Sequence, residues 1–112
     1  MKFLIFIATD QSVAHLEEPP GAIQAWVNEG TARGIRLHGD RLRPPAEAKT
    51  VRRRAGKVIV TDGPFAETHE WIAGFDILEC ENLEEAIEIA ARHPMSTSGI
   101  IELRPAWPLD LA

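Results

Sequence analysis

Two segments of this chain are apolar at nearly every position. They cover residues 2–8 and 71–80. A strand that is apolar on both parities is covered on both of its faces, whereas a half-exposed strand alternates between apolar and polar residues. We therefore predict that both segments are central strands of a sheet.

Two other segments carry apolar residues at the three- and four-residue spacing of an amphipathic helix. The first helix is predicted over residues 19–33, with Gly34 as its stop. Asn82 is predicted to cap the second helix, with Glu85 in the capping-box position. That helix ends near His93, where a positive charge is favoured by the helix dipole.

Shorter apolar runs predict the remaining strands, over residues 35–42, 50–54, 57–61 and 100–104. The two middle runs flank an Ala-Gly break and predict a small hairpin. The resulting order of elements predicts an α+β fold of the ferredoxin-like βαββαβ type with an inserted β-hairpin. Residues 1–112 are expected to form a single domain, with an antiparallel sheet and both helices on one of its faces.

The predicted arrangement leaves the other face of the sheet bare. Because the two central strands are apolar on both sides, that face needs a cover. A second copy of the chain, packed sheet against sheet, is the simplest cover. We therefore predict a homodimer.

Charge and cysteine content narrow the range of functions. The chain has 12 basic and 17 acidic side chains, a net charge of −5, which is the wrong sign for binding a phosphate backbone. The lone Cys80 cannot form an internal disulfide, and no Cys/His spacing typical of a metal site occurs. The first apolar stretch is too short to span a membrane. We expect a cytoplasmic protein without metal or cofactor that binds neither nucleic acid nor membrane.

The end of the second predicted strand carries His38 and Asp40, which share a face by period-two alternation, while Arg41 points away. A carboxylate beside an imidazole fixes its tautomer and favours its protonated form, which suits general acid/base chemistry near neutral pH. The alternative is an exposed strand end at which Asp40 pairs with Arg41 or Arg43. The two arginines are also candidates for holding an anionic group of a substrate.

The segment Asp62-Gly63-Pro64-Phe65 follows the predicted hairpin and has two interpretations. In the first, it is a turn that Asp62 caps through the backbone. In the second, the rigid turn directs Asp62 and Glu67 toward a ligand. His69 is a further candidate, although loop residues of this kind usually face solvent.

Residues 57–68 resemble the YCII-related proteins, in particular the branch named for the Asp-Gly-Pro-Phe tetrapeptide. The similarity extends to residues 38–45, to Gly74, and to residues 83–86 and 101–105. It implies a dimeric α/β barrel with a cleft that holds a His and an Asp, and for this branch an association with extracytoplasmic-function sigma factors. The family's His on the first helix has no counterpart here, because residues 22–26 contain none; only Asp40 carries over.

These observations leave two main hypotheses open. The first is a cofactor-independent small-molecule enzyme with a polar cleft near Asp40 and Asp62 that uses acid/base chemistry. Its predicted catalytic residues are Asp40, Asp62 and His38, and its predicted ligand contacts are Arg41, Arg43, Glu67 and His69. The alternative is a non-catalytic ligand-binding or regulatory module that meets a sigma factor. In either case the ligand is an unidentified small molecule.

Overall fold

The computed structural model describes residues 1–14, 18–66 and 70–110. Within them no helix is long and apolar enough to cross a membrane. The strands and helices, in chain order, are β1 (Lys2–Thr9), α1 (Ala22–Ala32), β2 (Arg36–Arg41), β3 (Lys49–Arg54), β4 (Lys57–Asp62), β5 (Ile72–Glu79), α2 (Leu83–Ala91) and β6 (Gly99–Pro105).

Four of the strands form an antiparallel sheet in the order β2-β5-β1-β6. Strands β1 and β5 occupy its centre, as their apolar sequences predict. When the inserted hairpin is set aside, this order is that of a βαββαβ unit in which each helix connects two strands that do not pair with each other. The predicted ferredoxin-like α+β fold is therefore confirmed.

The hydrophobic core lies between the helices and one face of this sheet. Alternate residues of β1 (Phe3, Ile5 and Ile7) are buried on that face. Trp26 of α1 packs in the same cluster, and its Nε1–H donates a 3.0 Å hydrogen bond to the backbone carbonyl of Ile89 in α2. A buried indole N–H needs an acceptor, and here α2 supplies it. The hydrogen bond therefore joins the two helices above the sheet.

The opposite face of the sheet, here called the open face, is apolar along its two central strands. Its six central side chains are only partly covered: Leu4, Phe6, Ala8, Ala73, Phe75 and Ile77. No described element packs over them. The homodimer predicted to cover this face stays a prediction.

The inserted hairpin forms a separate two-stranded sheet of β3 and β4. Every residue of β4 is exposed. The pairing places Val51 opposite Val60, and Val58 shares their face. The three valines are between 55% and 66% exposed, so the hairpin presents an apolar strip to solvent.

The helix ends explain where the predicted boundaries moved. Helix α1 begins at Ala22, later than predicted, because Gly21 precedes it with a φ of 81° and provides no side-chain cap. At α2, Asn82 Oδ1 accepts a 2.8 Å hydrogen bond from the Glu85 backbone N–H, as predicted. The Glu85 carboxylate reaches back one residue further than a capping box requires and accepts from the backbone N–H of Glu81.

We expect Asn82→Ala to lower the free energy of unfolding by about 1 kcal/mol, because the Glu85 N–H loses its acceptor at a helix end. Urea unfolding followed by circular dichroism measures this. Asn82→Asp is the matched control, since it keeps an acceptor oxygen at the same place and should be close to wild type. Equal losses in the two variants would contradict a capping role.

Candidate functional site

The predicted pair of His38 and Asp40 forms on β2. His38 Nε2 lies 3.1 Å from Asp40 Oδ2, and both side chains are largely exposed. The register places Asp40 opposite Phe75, so Asp40 and His38 lie on the open face of the sheet. Arg41 pairs with Gly74 and therefore lies on the face toward the helices. The prediction that His38 and Asp40 share a face is confirmed. A polar contact this exposed contributes little to stability.

Asp62 lies at the end of β4 and is paired with Lys49 across the hairpin. Among the described residues it makes no hydrogen bond to the backbone of the turn, which the first of its two interpretations requires. Gly63 does have the positive φ of 95° that such a turn needs. Glu67 and His69 lie outside the described residues, so their predicted ligand contacts stay predictions.

The residues that the sequence analysis grouped into one site line two different cavities or neither of them. Asp40 and Arg41 contribute to a cavity of about 440 Å³ between α1 and the sheet, here called the helix-side cavity. Arg43 contributes to a second cavity of about 700 Å³ beside the hairpin, whose other walls are mostly apolar: Leu42, Pro45, Ala46, Pro64, Phe65, Trp71 and Ile72. His38 and Asp62 line neither of these two cavities.

The helix-side cavity contains a buried ion pair that the sequence analysis missed. Arg36 Nε donates to Asp76 Oδ1 at 2.7 Å. Asp76 is only 5% exposed and sits in the centre of β5, opposite Ile5 of β1. A charged side chain in such a place needs a partner, because isolated burial of a charge is very costly.

A bulge in the β2–β5 ladder brings Arg36 and Gly39 to the same carboxylate. The register shifts between Arg36 and His38, and Gly39 then pairs with Asp76. Without the shift, residues three apart would face opposite sides of the sheet. A Cβ on Gly39 would lie 2.0 Å from Asp76 Oδ1 and 2.7 Å from Arg36 Nη2. Only glycine therefore leaves room for this pair.

The surroundings of Asp76 act on its protonation in opposite directions. Burial raises the pKa of the Asp76 carboxyl, and this effect exceeds the lowering by the hydrogen bond and charge of Arg36. The negative charge of Asp40 raises the pKa further, whereas the neighbouring His38 lowers it. Asp76 is thus a carboxyl group that holds a proton more readily than an ordinary one.

His93 also contributes to the cavity wall, and the structure corrects its predicted role. The sequence favoured a cation at this helix end, but the residue is only 4% exposed. Burial, with the nearby charge of Arg36, lowers the pKa of His93 to about 4. The prediction was wrong because desolvation outweighs the helix dipole, so the imidazole is neutral near pH 7.

The contacts of His93 fix its ring. Its Nδ1 accepts a 3.0 Å hydrogen bond from the backbone N–H of Met95. The ring meets Trp26 edge to face, with the ring centroids 4.7 Å apart. Because Nδ1 is an acceptor, the neutral ring carries its proton on Nε2.

A sequence signal for Asp76 existed. It is a charged residue inside a run that is otherwise apolar on both parities, and such residues are rarely buried without a specific role. Its partner Arg36 is 40 residues away, so no local spacing connects them. No three His, Cys, Asp or Glu side chains converge as metal ligands anywhere in the described ranges.

Two comparisons with known proteins bear on this arrangement. The sequence profile of the YCII-related domain family matches residues 1–110 of this chain. An uncharacterised protein of Rhizobium meliloti (strain 1021) is 43% identical over 67 residues, which are 58% of this chain and 54% of that protein. The chain thus aligns with about half the length of this relative.

We expect the protein to lose stability as the pH falls from 6.5 to 4, in part because of His93. The folded-state pKa of about 4 is below the usual 6.5, so the unfolded state binds more protons in this window. At about 1.4 kcal/mol per pKa unit, the loss from this residue is on the order of 3 kcal/mol. This loss of stability is absent above pH 6.5, where His93 is neutral in both the folded and the unfolded state.

Urea unfolding of wild type and His93→Phe at pH 7 and pH 4.5 measures this effect. Phenylalanine keeps a ring against Trp26 and cannot titrate. The difference between the two proteins in the pH dependence of the unfolding free energy isolates His93. Asp76, whose raised pKa changes stability with pH in the opposite direction, is present in both. A variant with the same pH dependence as wild type would contradict a buried neutral imidazole.

Proposed function

Because this chain belongs to the YCII-related family, we propose that it is a homodimeric, cofactor-independent enzyme that transfers protons on a small molecule in the helix-side cavity. The observation that carries this proposal is the carboxylate of Asp76. It is buried, it lies on a cavity wall, and its pKa is raised. Perturbed ionisable groups in a cavity are the usual mark of an acid/base site.

Asp76 is suited to act as the base. Desolvation makes a carboxylate a stronger proton acceptor, and a catalytic pKa nearer neutrality makes proton transfer more efficient. Arg36 fixes its orientation through the 2.7 Å hydrogen bond from Nε to Oδ1. The second carboxylate oxygen is not used in that bond and is the one we assign to the ligand's proton.

The sequence-predicted residues Asp40 and Arg41 take part in this proposal as neighbours of Asp76 in the same cavity. The charge of Asp40 helps to raise the pKa of Asp76. Arg41 offers a donor at the end of β2. His38 acts indirectly, through its 3.1 Å contact with Asp40.

The open face supports the homodimer part of the proposal. Its central residues Phe6, Phe75 and Ile77 are partly exposed in a single chain. Two such faces packed together would remove a continuous apolar patch from water, which is the main driving force for stable homodimers.

The hairpin favours a second candidate function, a regulatory module that meets another protein such as a sigma factor. Its valine strip (Val51, Val58 and Val60) is exposed, and five cations lie on its two strands: Lys49, Arg52, Arg53, Arg54 and Lys57. An exposed apolar strip bordered by charges suits binding to an acidic protein surface. In this case the cavity would bind a ligand without turning it over.

We expect sedimentation equilibrium to give twice the 12.4 kDa mass of one chain. Phe6→Asp, which places a charge at the centre of the open face, should give the single-chain mass. Val60→Asp on the hairpin is the control and should remain dimeric. A wild-type monomer at micromolar concentration would refute the dimer.

We expect the protein to accelerate the opening of 5-nitrobenzisoxazole, a probe that reacts when a carboxylate removes its carbon-bound proton. Absorbance of the phenolate product measures the rate. A positioned, desolvated base typically contributes about 10²–10⁴-fold, here relative to acetate at the same concentration. Asp76→Asn should remove this gain, because the amide keeps the shape of the side chain and is not a base.

Glu88→Gln on the exposed face of α2 is the matched control for loss of a carboxylate, since Glu88 is paired with Arg92 away from the cavity. Circular dichroism verifies that Asp76→Asn is folded. A loss in Asp40→Asn with Asp76→Asn unchanged would move the base to Asp40. No acceleration by wild type would favour the regulatory alternative.

A further inference from the structure

We infer that the helix-side cavity takes an uncharged, mainly apolar molecule that carries a carbonyl oxygen, and that His93 donates a hydrogen bond to this oxygen. This inference rests on the proposed function, because it names the substrate class of the same site. It is carried by the hydrogen bonds of His93 and by the charges and shape of the cavity.

His93 has one donor without a partner. Its Nδ1 accepts from Met95, which leaves the proton on Nε2. Within residues 1–14, 18–66 and 70–110, no hydrogen bond or ion pair involves Nε2, although the residue is only 4% exposed. Nε2 is not among the side-chain atoms that are fully shut off from water, so the donor can be reached, and the helix-side cavity that the ring lines is where an acceptor can be supplied.

The charges around the cavity argue against an anionic ligand. Two guanidinium groups, from Arg36 and Arg41, are balanced by two carboxylates, from Glu18 and Asp76, while the Asp40 carboxylate lies on the open face. Arg36 is also already engaged by Asp76. An incoming anion would therefore meet no surplus of positive charge, and a neutral oxygen is the acceptor that suits a neutral imidazole.

The remaining walls select an apolar body for the ligand. Ile7, Ile23, Val27 and Met95 supply aliphatic surface, and the volume is about 440 Å³. Cavities of this size and lining hold small organic molecules with a few polar groups. One aromatic ring with a short side chain is of suitable size.

A carbonyl compound also completes the proton-transfer chemistry. Asp76 would take a proton from the carbon beside the carbonyl, so that the C–H bond breaks and its electron pair moves into the enolate. The negative charge then develops on the oxygen that His93 Nε2–H contacts, and return of the proton to a different atom gives an isomer. A neutral imidazole with a lowered pKa is an effective donor to such an oxygen. Asp76 and His93 both line the helix-side cavity, so one ligand in this cavity can meet both groups.

Three probes of similar shape test the substrate class: acetophenone, ethylbenzene and benzoate, titrated by isothermal calorimetry at pH 7. We expect acetophenone to bind about fivefold more tightly than ethylbenzene, since one neutral hydrogen bond typically contributes that much. Benzoate should bind most weakly. His93→Phe should bind ethylbenzene as wild type does and lose the preference for acetophenone.

The histidine proton spectrum of the wild-type protein gives a second reading that does not depend on the variant's folding. The Nε2–H signal of His93 should shift with acetophenone and stay in place with ethylbenzene. Tightest binding of benzoate would overturn the inference in favour of an anion site. Equal binding of all three probes, or of none, would overturn it as well.

The two proposals fail separately. Opening of 5-nitrobenzisoxazole needs the carboxylate and no carbonyl group on the probe, so it tests Asp76 alone. Binding of acetophenone needs His93 and no turnover. A protein that opens the benzisoxazole and prefers benzoate would keep the proposed function and refute the carbonyl class.

Discussion

The ion pair of Arg36 and Asp76 is the constraint on which the rest of the site depends. A carboxylate in the middle of a central strand, under a helix, is tolerated only when a cation meets it with good geometry. The start of β2 brings Arg36 to that position, and the bulge after it turns Gly39 toward the same oxygen. Arg36, Gly39 and Asp76 all line the cavity between α1 and the sheet.

The same pair sets the electrostatics of its neighbours. Burial of the ring, with the charge of Arg36 as a smaller effect, lowers the pKa of His93 and keeps it neutral, while burial moves Asp76 toward its protonated form. Both changes reduce the charge inside the cavity, which is the direction that desolvation favours. Trp26 contributes to this from the core, because it contacts the His93 ring and ties α1 to α2 through its indole N–H. The packing of the helices and the chemistry of the cavity are therefore parts of one cluster.

Most of the fold could be predicted from the sequence, because it depends on periodicity. The apolar runs at residues 2–8 and 71–80 became the two central strands, and Asn82 caps α2 as its spacing predicted. The candidate site depends on long-range register, which local patterns do not contain. His38 and Asp40 are two residues apart and were found; Arg36 and Asp76 meet through a bulged ladder and were missed. His93 was misjudged because its burial comes from elements distant in sequence.

The two faces of the sheet are connected at β2. Asp40 is paired with His38 on the open face, yet its charge raises the pKa of Asp76 on the helix side. Whatever covers the open face therefore also acts on the cavity. A second copy that excludes water there would strengthen the field of Asp40, because charges interact more strongly at low dielectric. A cation brought next to Asp40 would have the opposite effect. In the proposed homodimer, the proton affinity of the buried carboxylate would thus depend on how the partner packs beside His38.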